Sequence, residues 1–312
     1  MNPFSPLTLI SQKPSKKPRI LVVDDEPDNL NLLYRTFRRN FKVLRALSGI
    51  EALDLLEKEG EVAVIISDQR MPEMKGTEFL SKTVTDFPNT VRMILTGFTD
   101  VEDLVEAINA GQVYRYITKP WDPDDLQQLV DRASDTYDLI NHQHEALHRA
   151  ETLSKLVVTA GQLAIQSMTQ TEALTFLADG FGTILGTDAC SLLLLGNGTA
   201  GCYGATTGEA VQANELVKTA IATQRTQSAL HIQADERQAN EPLYAGQTES
   251  HLVTPLSYQG ETLAVLSLQW NTSFATLDDV TQLLRVIEPQ LALSLKATVF
   301  QSEASKNFLS VA

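Results

Sequence analysis

Two rhythms divide the chain. From Arg19 to about Tyr116, short β-branched runs alternate with amphipathic stretches. The runs are Ile20 to Val23, Lys42 to Leu44, Val62 to Ile66, Val91 to Leu95 and Val113 to Ile117, and between them apolar residues recur at helical spacing, as at Leu30, Leu33 and Phe37 or Ala52, Leu55 and Leu56. Runs that are apolar almost without interruption belong to strands covered on both faces. The alternation therefore predicts βαβ units and an α/β fold, a doubly wound five-stranded parallel sheet between layers of helix.

After Lys119-Pro120-Trp121 the rhythm changes. Asp122 is placed to cap a helix, Pro123 suits its first turn, and Asp124 and Asp125 sit at the positive end of its dipole. Apolar or small residues then recur at Leu126, Val130, Ala133, Tyr137, Ile140, His144 and Leu147, and no glycine or proline intervenes before Gly161. This 4,3 spacing predicts a connector helix that forms a coiled coil. Beyond it, a helix over Glu172 to Ile184 precedes the apolar run Cys190 to Leu195. The Gly196-Asn197-Gly198 turn and a short strand around Cys202 follow. Leu252 to Leu256, the Gln259-Gly260 turn and Thr262 to Leu268 make a second hairpin, and a final helix runs from Leu277 past Leu295. Hairpins flanked by helices predict an α+β domain with an antiparallel sheet.

Composition narrows the function. With 43% hydrophobic and 21% charged residues the chain is ordinary for a soluble globular protein, and no apolar run approaches the roughly 20 residues that span a bilayer. Membrane insertion is not expected. Met1 to Arg19 lacks a secretory core, and two cysteines are too few for a disulfide framework, which places the protein in the cytoplasm. The net charge is −14, and basic residues outnumber acidic ones only in the tail, where Lys13, Lys16, Lys17 and Arg19 interleave with Pro14 and Pro18. A folded basic stripe, the usual mark of nucleic-acid binding, is missing, so no direct contact with nucleic acid is expected.

The chemistry lies at strand ends. The first strand ends in Asp24 and Asp25, the third in Asp68, the fourth in Thr96 and the fifth in Lys119. In a parallel α/β sheet, groups at the carboxyl ends of strands converge on one crevice. Three carboxylates there repel unless a cation neutralises them, and hard oxygen ligands with room for water suit magnesium. On this reading Asp68 is the carboxylate nucleophile that takes a phosphoryl group, and Asp25, Asp68 and the backbone carbonyl of Arg70 hold the metal, with Asp24 on a metal-bound water. Lys119 pairs with the phosphoryl oxygens and the Thr96 hydroxyl donates to one of them, neither needing a perturbed pKa.

At Leu21-Val22-Val23-Asp24-Asp25-Glu26, Ser67 to Gly76, Leu95-Thr96-Gly97 and Tyr116-Ile117-Thr118-Lys119-Pro120 the sequence resembles the receiver domains of two-component response regulators. The resemblance implies a flavodoxin-like receiver phosphorylated on Asp68 by a histidine kinase. It further implies a Thr96–Tyr116 switch that remodels one face, and a cis Lys119-Pro120 peptide. Arg70 and Phe98 border the path of a hydrolytic water in that family and are expected to slow loss of the phosphoryl group.

Residues 165 to 298 resemble a GAF domain, a small sensory fold with a ligand cup over its sheet, at Gly186 to Leu194, Val253-Thr254-Pro255-Leu256 and Gly260 to Leu266. The cyclic-nucleotide signature of some GAF domains is absent. Cys190 and Cys202 come too early, without a following His, for covalent attachment of a bilin, so the GAF ligand stays unknown. His144 and His148 stand at a zinc-site spacing with no evident further ligand, and a hydrated helix surface is the reading preferred. The expected organisation is a basic tail at 1–18, a receiver at 19–124, a helical connector at 125–168, a GAF domain at 169–298 and a tail at 299–312, which leaves no room for a DNA-binding or cyclase module.

These readings combine into a non-enzymatic response regulator. It passes its state through the helix to a GAF domain, acting as a homodimer or on a downstream protein partner. Two alternatives stand beside it: a GAF-based small-molecule sensor with a modulatory receiver, and a haloacid-dehalogenase-like phosphotransferase. The latter normally needs an acid two residues after its nucleophile, where Arg70 stands here.

Overall fold

The structure is a computed structural model that describes residues 17–97, 113–163, 168–244 and 247–309, with side chains through 297. The chain divides into two compact units, Pro14–Glu145 and Ala146–Ala312.

In the first unit β1 (Arg19–Val23), β2 (Lys42–Ala46), β3 (Val64–Asp68), β4 (Val91–Thr96) and β5 (Arg115–Thr118) form one sheet of order β2-β1-β3-β4-β5. Every pairing is parallel. Strand pleating sends Ile20 and Val22 to one face and Leu21 and Val23 to the other. The first face packs on Leu30, Leu33 and Phe37 of α1 (Pro27–Phe37). The second packs on α2 (Gly49–Glu59) and α3 (Gly76–Thr83) through Ala52, Leu56, Phe79 and Leu80. The doubly wound sheet is as the pattern predicts. The switch order places the carboxyl ends of β1, β3 and β4 side by side.

Helix α4 (Pro123–Gln162) is a single helix of 40 residues, and the division between the units falls within it. Its start is fixed as expected: Asp122 Oδ1 accepts hydrogen bonds from the backbone N–H of Asp124 and Asp125 at 2.9 and 3.1 Å. The expected coiled-coil seam needs correction. Leu126, Val130 and Ala133 are buried in the core of the first unit, and Tyr137 packs partly against it, so the first half of the 4,3 repeat covers the sheet. Beyond Ile140 the repeat turns outward at His144 and Leu147, the latter 60% exposed. Near its end Leu156 and Ala160 enter the core of the second unit. A repeat of this spacing is also what one face of a helix on a sheet requires, which is why sequence alone read it as a seam.

The second unit holds α5 (Gln170–Leu185), β6 (Ala189–Leu194), β7 (Ala200–Gly204), α6 (Gly208–Ala213), α7 (Glu215–Thr223), β8 (Gln227–Leu230), α8 (Glu236–Ala239), β9 (Ser250–Tyr258), β10 (Glu261–Trp270) and α9 (Asp278–Leu309). Its sheet has order β7-β6-β10-β9-β8 and is antiparallel throughout. Thr169 and Glu172 close a capping box on α5. Gln259 and Gly260, at φ 52° and 84°, make the two-residue turn between β9 and β10 that the sequence marks. One sheet face packs against α5, α9 and the end of α4, through Leu177, Phe181, Ile287 and Leu291 among others. A Cβ on Gly201 would lie 2.1 Å from the carbonyl carbon of Leu174, so only glycine lets α5 rest directly on β7. The other face, with Leu193, Val253 and Val265, is covered by Val211, Val217, Ile232 and Tyr244 from the segment joining β7 to β9. That segment carries no clear periodicity and escaped the sequence reading. Helix α9 continues to Leu309, beyond the 298 boundary expected for the domain. Among the described residues no helix is long and apolar enough to cross a membrane.

Candidate functional site

The site gathers at the carboxyl end of the parallel sheet. Asp24 follows β1 and is 1% exposed. Its Oδ1 accepts hydrogen bonds from the Glu26 backbone N–H and from Asn29 Nδ2, both at 3.0 Å, and its Oδ2 accepts from Asn29 Nδ2 at 3.1 Å and from Lys119 Nζ at 3.1 Å. Asp68 ends β3, and its Oδ1 lies 2.5 Å from the same Nζ while its Oδ2 accepts the Arg70 N–H at 2.8 Å. One ammonium thus bridges two buried carboxylates and offsets part of their mutual repulsion. Burial by itself would lower the pKa of Lys119, but hydrogen bonds and charge from Asp68 and Asp24 outweigh it and hold the ammonium above the usual lysine value. The role read for Lys119 from the sequence does not require this shift.

The loop after Asp68 is folded back on the strand. Gly76 N–H donates to the Gln69 carbonyl at 3.1 Å, and Thr77 N–H to Gln69 Oε1 at 3.1 Å. A Cβ on Gly76 would sit 2.1 Å from the Asp68 carbonyl oxygen, so this close approach requires glycine. Thr96, at the end of β4, is buried and its hydroxyl donates to the Gly97 carbonyl at 3.0 Å. Tyr116 lies on the edge strand β5 and is 50% exposed, and Lys119-Pro120 is cis. Phe98 lies outside the described residues, as does the segment between Gly97 and Val113.

Asp24, Asp68 and Lys119 are therefore brought together as the sequence suggested. Asp25 is exposed, and among the described residues no three Asp, Glu, His or Cys side chains stand close enough to cage a metal, His144 and His148 included. Asn29 was missed. Its only signal is its place in the first turns of α1, five residues beyond Asp24. A magnesium ion keeps several waters and needs few protein oxygens, so Asp25, Asp68 and the Arg70 backbone, with Asp24 on a metal-bound water, fit it.

The second unit carries a buried polar layer that the sequence did not announce. His251 on β9 is fully buried; its Nδ1 lies 2.6 Å from Tyr244 Oη and its Nε2 2.8 Å from Ser267 Oγ. Tyr244 also reaches Asn214 Oδ1 at 3.4 Å. Burial drives the pKa of His251 down to about 3, so the ring is neutral, and burial pushes the Tyr244 phenol up. A cavity of about 450 Å³ lies beside this network, lined by Glu215, Thr219, Ser228, Glu241 and Tyr244 among others. Cys190 and Cys202 are free thiols, and burial pushes the Cys190 pKa up, which makes it an inert core residue.

Residues 20–131 match the family model of the response regulator receiver domain, and residues 171–295 match that of the GAF domain. The chemotaxis protein CheY homolog of Campylobacter jejuni is 33% identical over 117 residues, 36% of this chain and 89% of that protein. The chain belongs to the response regulators. The hydrogenase transcriptional regulatory protein HoxA of Cupriavidus necator is 40% identical over 129 residues, 41% of this chain and 27% of that relative. The chain thus spans about a quarter of the length of HoxA, and likewise 27% of the transcriptional regulatory protein GlrR of Escherichia coli, which is 38% identical over 125 residues. Among solved structures, one described as adenylate cyclase from Rhodopirellula baltica is 39% identical, covering 42% of this chain and 98% of that one, with a TM-score of 0.41. A receiver domain protein from Clostridium thermocellum is 29% identical over 39% of this response regulator and 98% of that chain, with a TM-score of 0.38.

Proposed function

We propose that this response regulator accepts a phosphoryl group on Asp68 from a histidine kinase and passes the change through α4 to its GAF domain. The observation that carries the reading is the single Lys119 ammonium shared by Asp24 and Asp68. Asp68 is a carboxylate nucleophile held in place from both sides, by Lys119 on one oxygen and by the Arg70 N–H on the other. Transfer breaks the donor's bond to phosphorus, forms the bond to Asp68, and leaves the electron pair with the departing group. Magnesium, when bound by Asp25, Asp68 and the Arg70 carbonyl with Asp24 on a metal-bound water, would supply positive charge against the phosphoryl oxygens. Lys119 then exchanges a carboxylate partner for a phosphoryl oxygen, and the buried Thr96 hydroxyl turns from the Gly97 carbonyl to another. Tyr116, exposed before transfer, follows Thr96 and alters the surface of β5.

The output is contact with a protein, either a second copy of this chain or a downstream partner in the cytoplasm. Leu147 and Val158 on α4 and Val286 and Leu293 on α9 are exposed apolar residues of the second unit that suit such an interface. The cavity beside Tyr244 favours a second reading, in which a small molecule bound by the GAF domain is the main input. To test the main proposal, the protein and an Asp68→Asn variant are incubated with magnesium and a small phosphoryl donor, and intact mass and oligomeric state are read together. The expected result is one phosphoryl adduct on the wild type alone, with a change of assembly. An adduct of equal yield on the variant would overturn the assignment of Asp68.

A further inference from the structure

We propose that the cavity beside Tyr244 takes a small organic cation, a primary amine in its protonated form on a short apolar body, and that Glu241 is the residue which recognises it. The proposal rests on the second reading above, the GAF domain as a small-molecule sensor, and names the class of its ligand. At about 450 Å³ the cavity has the volume of an ordinary small-molecule site. Its walls divide by chemistry. Leu216 on α7 and Ala229 and Leu230 on β8 give an apolar side, while Glu241, Thr219 and Ser228 give a polar one. Glu215 stands at the edge, largely exposed and paired with Lys218 at 2.7 Å. No lysine, arginine or histidine is among the lining residues, so nothing in the wall answers a negative charge on a ligand.

The polar side is arranged to accept hydrogen bonds. Glu241 is partly buried, and Asn214 Nδ2 donates to its Oε2, which leaves the other oxygen for the cavity. Asn214 is 3% exposed and is itself fixed, because its Oδ1 caps α7 by accepting the backbone N–H of Leu216 and Val217 at 3.1 and 3.3 Å. The carboxylate is therefore held in one orientation by the start of the helix. The Thr219 hydroxyl donates to the Glu215 carbonyl at 2.8 Å, so toward a ligand it only accepts. Oriented acceptors facing an apolar wall match an ammonium, which brings three donors and no acceptor. A neutral alcohol of the same shape loses the charge-assisted bond, and an anion is repelled. The site also connects to the sheet. Asn214 Oδ1 lies 3.4 Å from Tyr244 Oη, and Tyr244 leads through His251 to Ser267, so a pull on Glu241 reaches β9 and β10.

The test uses the full chain and three probes that share an apolar body and differ in the charge of the head: phenethylamine, 2-phenylethanol and phenylacetate, each titrated by calorimetry at pH 7. We expect the amine to bind at least about tenfold tighter than the alcohol, as a hydrogen bond to a charged group allows, and the acid to give no binding. Glu241→Gln, which keeps an acceptor for Asn214, removes that preference, whereas Glu215→Gln, at an exposed ion pair, changes it by less than about threefold. Ser228→Leu narrows the cavity from an exposed strand position and abolishes binding of the amine; it locates the site if Glu241→Gln does not fold. Alcohol or acid bound as tightly as the amine, and lost in Ser228→Leu, overturns the amine assignment while leaving the domain a small-molecule sensor. Amine binding that survives both Glu241→Gln and Ser228→Leu is attraction to the acidic surface and overturns the site. No binding of any probe up to about 10 mM overturns the proposal and the sensor reading together.

Discussion

At the scale of single residues, burial decides what each charged or polar group can do. Lys119 is held above its ordinary pKa because two carboxylates outweigh its desolvation. His251 has no charged partner, and burial lowers its pKa to about 3. In the unfolded chain a histidine protonates near pH 6.5, so between that value and about 3 the unfolded state holds a proton that the fold refuses. Stability is complete above pH 6.5 and falls as pH drops through the window, by at most about 1.4 kcal/mol per pH unit. Denaturant unfolding of the second unit at pH 7 and pH 5 should therefore differ by roughly 2 kcal/mol more in the wild type than in a His251→Gln variant. Equal differences would show that the ring is charged in the fold. Asp24, Asp68, Thr96 and Lys119 were legible because each ends or follows an apolar run. Asn29 and His251 were not, since a polar residue in a helix turn and a histidine within a strand have the same sequence appearance whether they face water or a core.

At the scale of elements, α4 shows how one pattern serves two purposes. Its 4,3 repeat reads as a coiled-coil seam, yet Leu126, Val130 and Ala133 cover the parallel sheet. The two readings differ in energy. Truncating a buried leucine leaves a cavity and costs about 2–5 kcal/mol, while the same change on an unpartnered helix surface costs under about 0.5 kcal/mol. Leu126→Ala should thus destabilise the first unit by about 3 kcal/mol in urea unfolding, with little effect on the second. A loss below about 0.5 kcal/mol would return Leu126 to the connector. Strands and hairpin turns were the most legible elements, because the β-branched runs and the Gln259-Gly260 pair state both their extent and their ends. The short elements α6, α7, β8 and α8 were invisible, since none is long enough to establish a period.

At the scale of the molecule, two cores imply two stabilities. Each unit buries its own apolar layers on both faces of its own sheet. Calorimetry should resolve two thermal transitions, and magnesium with beryllofluoride, a phosphoryl mimic, should raise only the one that Leu126→Ala lowers. At a hundredfold excess over the dissociation constant the gain is about 2.7 kcal/mol. A single transition that moves as one would show the units to be energetically inseparable. The sequence by itself determined the two fold classes and the order of the strands' terminal acids and the lysine, because these follow from local periodicity and from the residues that end each apolar run. Tertiary structure alone decided that one ammonium serves two aspartates, that Asn29 fills the bite of Asp24, that the start of α4 belongs to the receiver core, and that His251 is neutral. Each of these depends on how side chains and elements pack, across 95 positions between Asp24 and Lys119 and across only five between Asp24 and Asn29, and packing is not written in sequence neighbourhood.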